Sequence, residues 1–363
     1  MAEAARHIEP PLALLAELSH RCPLSCPYCS NPLELVRASG ELPTGAWISV
    51  FEQAARMGVL QVHLSGGEPA VRKDLTELVA AAGGAGLYTN LITSGLLLDK
   101  DRLSALQGAG LAHVQLSVQG ADAAMTDYVG GTPGAFDHKM TVARWVGELG
   151  LALTFNFVLH RQNCHQAADM LALARSFGAQ RVEMAHTQYY GWGLENRAAL
   201  LPGRDQLDAV TALVEAEREK GGLTIDYVVP DYYALRPKAC MAGWARRFLT
   251  ITPDGYVLPC HAAQSLPGLE FERVTGRPLA EIWETNPGLN AYRGTGWMAE
   301  PCRSCERAEV DFGGCRCQAF ALAGDAAATD PACALSDHHH KLTEWAQKET
   351  GAEAPAFIYR RFG

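Results

Sequence analysis

The chain has 363 residues, of which 48% are hydrophobic and 20% are charged, and its formal net charge is -9. These proportions predict a soluble globular protein that buries a substantial core. The acidic balance argues against a nucleic-acid surface, and no uncharged apolar run is long enough to span a membrane. The first ten residues, MAEAARHIEP, lack the apolar core of a signal peptide. We therefore expect a cytoplasmic protein without nucleic-acid or membrane partners.

Short apolar runs alternate with amphipathic segments from residue 12 to about residue 190. The apolar runs predict six strands, over 12–18, 59–64, 87–93, 114–118, 151–159 and 181–185. Helices are predicted between them over 48–57, 74–82, 101–108, 136–149 and 166–177. This alternation predicts an α/β fold in which helices cover a parallel sheet. Six units suit a partial (β/α)6 barrel related to the eightfold TIM barrel, with active residues at the carboxyl ends of its strands.

The last third of the chain has a different character. Residues 190–236 read as a bridge, with an aromatic loop at Tyr189–Trp192 that either lines a substrate channel or simply packs, and then a helix over 205–220. From Cys240 onward the chain is rich in loops, with little core of its own, and a final helix is predicted over 338–349. We expect a core barrel over 1–200, a bridging region over 201–239, a cluster-dependent domain over 240–337, and a helix and tail over 338–363.

Three of the eleven cysteines follow the first predicted strand with the spacing C-x3-C-x2-C. In a reducing compartment, metal ligation explains so many cysteines better than disulfides do. A closed zinc site or an electron-transfer cluster takes four protein ligands. Three thiolates can instead hold three corners of a [4Fe–4S] cube and leave one iron open to bind and reduce a small molecule. The alternative is a zinc site completed by His20. The three cysteines are Cys22, Cys26 and Cys29.

This spacing, with Tyr28 before the last cysteine, resembles the radical S-adenosylmethionine (radical SAM) superfamily. The resemblance implies that the open iron chelates the amine and carboxylate of S-adenosyl-L-methionine. An electron from the low-potential cluster then releases a 5′-deoxyadenosyl radical.

The motif Gly66-Gly67-Glu68-Pro69, after the second predicted strand, resembles the Gly-Gly-Glu-Pro motif of the same superfamily. Its glycines would permit close backbone approach to the ligand, and Glu68 would face the ligand's ammonium. Further candidates for the ribose or carboxylate lie at later strand ends, where ordinary hydrogen bonding is an equal alternative. These candidates are Ser117, Gln119 and Asn156.

Seven further cysteines crowd the last third and resemble the SPASM extension of radical SAM enzymes that modify ribosomal peptides. Where that pattern calls for a cysteine, this chain has Asp311, and the alternative is a surface acid with water completing the site. We expect Cys315 and Cys317 to share a cluster because residues two apart on an extended segment point the same way. By register, two auxiliary clusters, [4Fe–4S] or [2Fe–2S], are implied. One is held by Cys302, Cys305, Asp311 and Cys333, and the other by Cys240, Cys260, Cys315 and Cys317.

Four features resemble the radical SAM/SPASM family of pyrroloquinoline quinone biosynthesis. They are the runs 17–24 and 29–35, the run Tyr190-Gly191-Trp192 followed by 195–198, and the register of Asp311. The resemblance implies a carbon–carbon bond between a glutamate γ-carbon and a tyrosine ring carbon of a precursor peptide, PqqA. It also implies the peptide chaperone PqqD and a low-potential electron donor such as flavodoxin. The alternatives are another SPASM peptide or protein maturase (thioether-forming, epimerising or sulfatase-maturing) and a non-enzymatic iron–sulfur or zinc protein.

Overall fold

The computed structural model describes residues 8–361 and contains one large sheet. Strands β1 to β8 are parallel to their neighbours, and β9 is antiparallel to β8, in the spatial order β7-β6-β5-β4-β3-β2-β1-β8-β9. The sheet is open because β7 and β9 lie at its two ends. The strands are β1 Ala13–Ser19, β2 Gln61–Gly66, β3 Tyr88–Thr93, β4 His113–Val118, β5 Ala152–Leu159, β6 Arg181–His186, β7 Thr224–Val228, β8 Phe248–Ile251 and β9 Val257–Leu258.

Helices connect each strand from β1 to β6 with the next one along the chain, and several begin at a side-chain cap. Asp99 accepts a hydrogen bond from the Arg102 N–H, and Asp122 accepts one from the Met125 N–H, which satisfies otherwise unpaired donors of the first turn. The helices are α1 Thr44–Met57, α2 Leu75–Gly84, α3 Lys100–Gly108, α4 Ala123–Gly130, α5 Ala135–Glu148, α6 Ala167–Ser176, α7 Gly191–Glu195, α8 Arg197–Leu200, α9 Arg204–Lys220, α10 Leu279–Thr285, α11 Pro287–Asn290, α12 Ala308–Asp311, α13 Arg316–Ala323 and α14 His339–Thr350.

The six predicted strands are confirmed, and the partial barrel is the architecture observed. The sheet is nevertheless larger than expected. The region expected to be only a bridge supplies β7, which pairs with β6, and the region expected to be loops supplies β8, which pairs with β1. Both strands are short, so their sequence signal is weak, and it is their neighbours that fix them in the sheet.

One core runs through the barrel and into the C-terminal third of the chain. Trp244, Leu249 and Trp283 are buried in the same apolar cluster as Leu14 of β1. The C-terminal segment thus covers the β8 side of the barrel with its own apolar side chains. None of the helices described is long and apolar enough to cross a membrane.

Candidate active site

The cysteine loop and the strand ends that follow it line one cavity of about 270 Å³. The loop begins directly after β1, and the neighbouring strands each bring their carboxyl ends to the same rim, as parallel packing requires. The cavity therefore collects most of the residues predicted from sequence. Those that line it are Cys22, Cys26, Tyr28, Cys29, Gly66, Gly67, Ser117, Gln119 and Asn156.

The two glycines of the motif lie against the backbone of the cysteine loop. Gly66 has a φ of +124°, and a Cβ on Gly67 would stand 2.5 Å from the carbonyl oxygen of Arg21. The amide of Gly67 donates to the Ser19 carbonyl, and the amide of Glu68 donates to the Arg21 carbonyl at 2.8 Å. The glycines are thus needed where β2 meets the cysteine loop, in addition to bordering the cavity.

Glu68 does not occupy the position expected from its motif. Its side chain is 0% exposed and does not line the cavity. Its carboxylate accepts hydrogen bonds from the Thr93 hydroxyl at 2.7 Å, from both the amide and the hydroxyl of Ser94, and from the Ala70 amide. Glu68 therefore joins the end of β2 to the end of β3, and Pro69 starts a buried single turn behind it.

The structure places a free acceptor in the cavity wall. The Asn156 Oδ1 atom is buried and has no hydrogen-bond partner among residues 8–361. Because buried polar atoms are normally paired, this amide is suited to a ligand's donor. Gln119, which directly follows the neighbouring strand β4, is 2% exposed and lies beside Tyr28. Burial raises the pKa of Tyr28 well above its ordinary value.

In the polypeptide alone, burial favours the neutral thiol form of the loop cysteines. It raises the pKa of Cys22 to about 12, with Glu68 adding to the effect, and it raises the pKa of Cys26 to about 11. Metals bind the thiolate, so iron must displace these protons as it binds. A cationic iron–sulfur core compensates three buried thiolates in a way that an apolar pocket cannot. The donor set and the cavity therefore fit a cluster with an adjoining small ligand.

His20 does not line the cavity, which weakens the zinc alternative, although its Nε2 atom has no hydrogen-bond partner among the described residues. Its Nδ1 atom accepts a hydrogen bond from the Val36 amide at 3.0 Å, and its Nε2 atom lies 3.7 Å from Glu17. In the described range, no group of three or more His, Cys, Asp or Glu side chains is spaced to hold a single metal ion. An iron–sulfur cluster differs because its thiolates surround several irons.

Four C-terminal cysteines form a second group, in which Cys260 and Cys317 are buried and Cys240 and Cys315 are half-buried. Cys240 and Cys317 each lie close enough to Cys260 and Cys315 to interact with both, and this interaction lowers the pKa of Cys260 and of Cys315. The expectation that Cys315 and Cys317 share an extended segment is wrong, because α13 begins at Arg316. The first turn of that helix brings the two thiols together instead.

A third group surrounds a smaller cavity, lined by residues between Arg236 and Leu335. Asp311, at the end of α12, is only 8% exposed and faces the same space as the thiols of its predicted set. Arg236 also lines this cavity and donates to the sulfur of Cys333 at 3.6 Å. Because this carboxylate is buried among three thiols, its position does not fit the alternative of a surface acid. The members of the set are Cys302, Cys305, Asp311 and Cys333.

Comparison with known proteins shows the family to which this chain belongs. Residues 16–174 match the radical SAM superfamily, and residues 240–306 match the SPASM family, an iron–sulfur cluster-binding domain. The PqqA peptide cyclase of Rhodopseudomonas palustris is 59% identical over 97% of this chain and 94% of its own length. That of Gluconobacter oxydans is 58% identical over 97% of this chain and 98% of its own. The chain belongs to the PqqA peptide cyclase (PqqE) family.

Two solved structures share the fold of this PqqA peptide cyclase family member. Streptococcus suis SuiB bound to precursor peptide SuiA superposes with a TM-score of 0.72 and 20% identity, covering 90% of this chain and 76% of SuiB. Native anSMEcpe with bound AdoMet superposes with a TM-score of 0.66 and 15% identity, covering 94% of this chain and 96% of anSMEcpe. These structures show the fold, whereas the matches to the radical SAM superfamily and to an iron–sulfur cluster-binding domain show that the chain is a radical SAM enzyme that uses S-adenosyl-L-methionine and iron–sulfur clusters.

Sequence reasoning missed a lysine beneath the cyclase cavity. Lys139 is 0% exposed, and its ammonium donates to the carbonyls of Ser117 at 2.7 Å and Ser94 at 3.0 Å. Burial lowers the pKa of Lys139 to about 8, against the attraction of Cys26 and Glu68. A signal was present in the sequence. Lys139 lies one turn from Ala135 and from Ala143 on the apolar stripe of α5.

The aromatic loop of the cyclase has two separate roles. Tyr190 lines the cavity, and its hydroxyl hydrogen-bonds to Nε2 of His261, the residue after Cys260. Burial raises the pKa of Tyr190 well above its ordinary value, and the thiols of Cys260 and Cys29 add to this effect from either side. Tyr189 instead packs edge-on against Tyr232. Tyr190 therefore lines the cavity and lies between two cysteine groups, whereas Tyr189 is a packing residue.

The C-terminal tail also reaches the cavity, and nothing in the sequence indicates that it does. Arg360 is 3% exposed and lines the cavity beside the cysteine loop. Its guanidinium donates to Asn31 at 3.1 Å and to the sulfur of Cys29 at 3.7 Å. More than three hundred positions separate the residues of this contact, so no local pattern could have predicted it.

Proposed function

We propose that this chain forms the carbon–carbon crosslink between a glutamate γ-carbon and a tyrosine ring carbon of PqqA in pyrroloquinoline quinone biosynthesis. The observation that carries the proposal is the shared cavity, in which the cysteine loop, the strand-end polar groups and Tyr190 meet. PqqA peptide cyclases match nearly the whole length of this chain, and this similarity supports the choice of peptide and reaction.

The side chains divide into a cluster loop and a ligand wall. In the proposed assignment Cys22, Cys26 and Cys29 hold the [4Fe–4S] cluster, and when bound it supplies, with S-adenosyl-L-methionine, the radical that removes a hydrogen atom from the substrate. Asn156 and Gln119 accept hydrogen bonds from the ligand, and the glycines keep the loop against β2. Lys139 fixes the carbonyls behind the wall so that the strand ends hold their positions.

Crosslinking removes two hydrogen atoms from the peptide in total. One leaves the glutamate γ-carbon as an atom, and the other leaves the tyrosine ring as a proton and an electron. We assign the four thiols near His261 to one auxiliary cluster, and the three thiols with Asp311 to another, as acceptors for that electron. The position of Tyr190 between the cavity and Cys260 supports this assignment.

The partners and the compartment form part of the same proposal. PqqD presents the peptide, a low-potential donor such as flavodoxin supplies the first electron, and the reaction takes place in the cytoplasm. All eleven cysteines are unpaired, and the reducing conditions that free thiols need are compatible with that compartment.

The test is anaerobic incubation of the reconstituted protein with S-adenosyl-L-methionine, reductant, PqqD and PqqA, followed by mass analysis of the peptide. We expect a product that has lost two hydrogen atoms, with the new bond between Glu and Tyr. The Cys26→Ala variant should yield neither this product nor 5′-deoxyadenosine. Formation of 5′-deoxyadenosine with unmodified PqqA would contradict the proposal and would indicate another substrate.

A further inference from the structure

The last residues of the described chain run against the cysteine loop. Phe357 is buried and stacks on Tyr128 with ring centroids 5.0 Å apart. The Tyr359 hydroxyl donates to the Tyr128 carbonyl at 2.7 Å. The Arg360 amide donates to the Ser25 carbonyl at 3.1 Å, within the cysteine loop itself. The tail therefore forms part of the wall around the loop.

Asn196 fastens the tail and the loop to each other. Its side-chain amide donates to the carbonyls of Pro27 in the loop at 3.0 Å and of Ile358 in the tail at 2.9 Å. Its Oδ1 atom accepts the Ile358 amide at 2.7 Å. Because one buried side chain bridges both segments, the position of Arg360 relative to the thiols is fixed by the fold.

The guanidinium of Arg360 is directed at the loop's third cysteine. Its Nη1 atom donates to the carbonyl of His20 at 3.2 Å, to Oδ1 of Asn31 at 3.1 Å and to Sγ of Cys29 at 3.7 Å. The Cys29 thiol itself donates to Asn31 at 3.2 Å. Once that thiol is deprotonated, it can no longer donate, and Arg360 remains as a cationic donor to the sulfur.

Hydrogen bonds to cluster sulfurs are among the factors that set an iron–sulfur potential. A charged donor stabilises added negative charge more than a neutral one does. Reduction adds one electron to the cluster, so the hydrogen bond from Arg360 stabilises the reduced state more than it stabilises the oxidised state. The contact therefore raises the potential and makes the first electron easier to deliver.

We propose that Arg360 is a positioning residue that donates to the Cys29 sulfur of the radical SAM cluster and raises the potential at which that cluster is reduced. This inference rests on the proposed ligand role of Cys29. It assigns to the C-terminal tail a function in the reductive step, separate from binding of the peptide.

The test is a redox titration of the anaerobically reconstituted full chain, followed by electron paramagnetic resonance in the signal that changes when S-adenosyl-L-methionine is added. In Arg360→Gln, the ratio of reduced to oxidised cluster at a fixed potential should fall about tenfold, a shift of about 59 mV for one electron. Arg360→Lys should shift the ratio less because it keeps the charge. The exposed neighbour provides the control, Arg361→Gln, which should match the wild type. A fully loaded Arg360→Gln with the wild-type potential would overturn the proposal.

A second measurement uses the wild-type chain, so it holds even if Arg360→Gln fails to bind iron. Protein containing [15N]arginine should show a nitrogen hyperfine coupling in the same signal by pulsed resonance. Absence of that coupling would reject the contact. Failure of the proposed function is distinguishable, because it would abolish the PqqA product while leaving the Arg360 shift in place.

Discussion

We propose that Asp311 takes the place of a cysteine ligand in one auxiliary cluster. Its carboxylate is buried beside Cys302, Cys305 and Cys333, and its Oδ1 atom accepts the Gly313 amide at 3.1 Å. A carboxylate is a harder ligand than a thiolate and therefore alters both the affinity and the potential of a cluster. Lys139 and Arg360 act differently, because they adjust groups around the thiols without replacing any of them.

The Asp311→Ala variant tests whether this carboxylate is a ligand. We expect the iron content to fall by roughly one cluster's complement, with the signals of the other two clusters retained, because metal binding depends on a complete ligand set. Iron analysis together with electron paramagnetic resonance measures both quantities. Glu309→Ala provides the matched control, since Glu309 is an exposed acid on the same short helix. Unchanged iron and spectra in Asp311→Ala would reject ligation.

At the scale of elements, the junction between β2 and the cysteine loop positions the cavity. Backbone hydrogen bonds from Gly67 and Glu68 fix the loop to the end of β2, and the Glu68 carboxylate fixes the same point to β3. A side chain at Gly67 would collide with the carbonyls of both His20 and Arg21. Backbone atoms cannot move aside as a flexible side chain can, so the loop itself would have to shift.

The Gly67→Ala variant should therefore lose cleavage of S-adenosyl-L-methionine and the signal of the radical SAM cluster, and keep the auxiliary signals. We expect a loss of stability of about 1–3 kcal/mol from the forced displacement. Assay of 5′-deoxyadenosine and chemical denaturation measure the two effects. Gly84→Ala is the control, because a Cβ there meets nothing within 4 Å, and its stability should change by less than about 1 kcal/mol. Wild-type cleavage by Gly67→Ala would contradict this account of the junction.

On the scale of the whole molecule, the C-terminal third extends the sheet of the barrel beyond β1. β8 pairs with β1 along four residues, and Trp244, Leu249 and Trp283 enter the main core. We propose that the boundaries near residues 200 and 240 divide the chain into segments with different functions. The segments on either side of these boundaries nevertheless share one hydrophobic core. The shared core holds the region of the proposed auxiliary clusters at a fixed place relative to the cavity. The hydrogen bond between Tyr190 and His261 depends on that fixed placement.

A chain truncated after residue 239 should consequently fail to fold as a stable, soluble radical SAM domain. Its loss of β8 would leave β1 as a long unprotected edge and would expose apolar core surface. Soluble yield and thermal unfolding provide the measurement. The full chain carrying Cys302→Ala keeps β8 while removing a proposed cluster ligand, so it separates loss of a cluster from loss of the strand. A soluble, monomeric truncated protein that cleaves S-adenosyl-L-methionine would refute the prediction.

The sequence by itself determined the six-strand pattern, the three-cysteine loop, the glycine motif and the register of Asp311. These signals are local, because they depend on spacing and periodicity within a few residues. Only the tertiary structure decided that Glu68 binds strand ends, that α13 brings Cys315 and Cys317 together, and that β7 and β8 extend the sheet. It also decided that Arg360 meets Cys29. Contacts across hundreds of residues depend on how the elements pack, and that packing leaves no local pattern in the sequence.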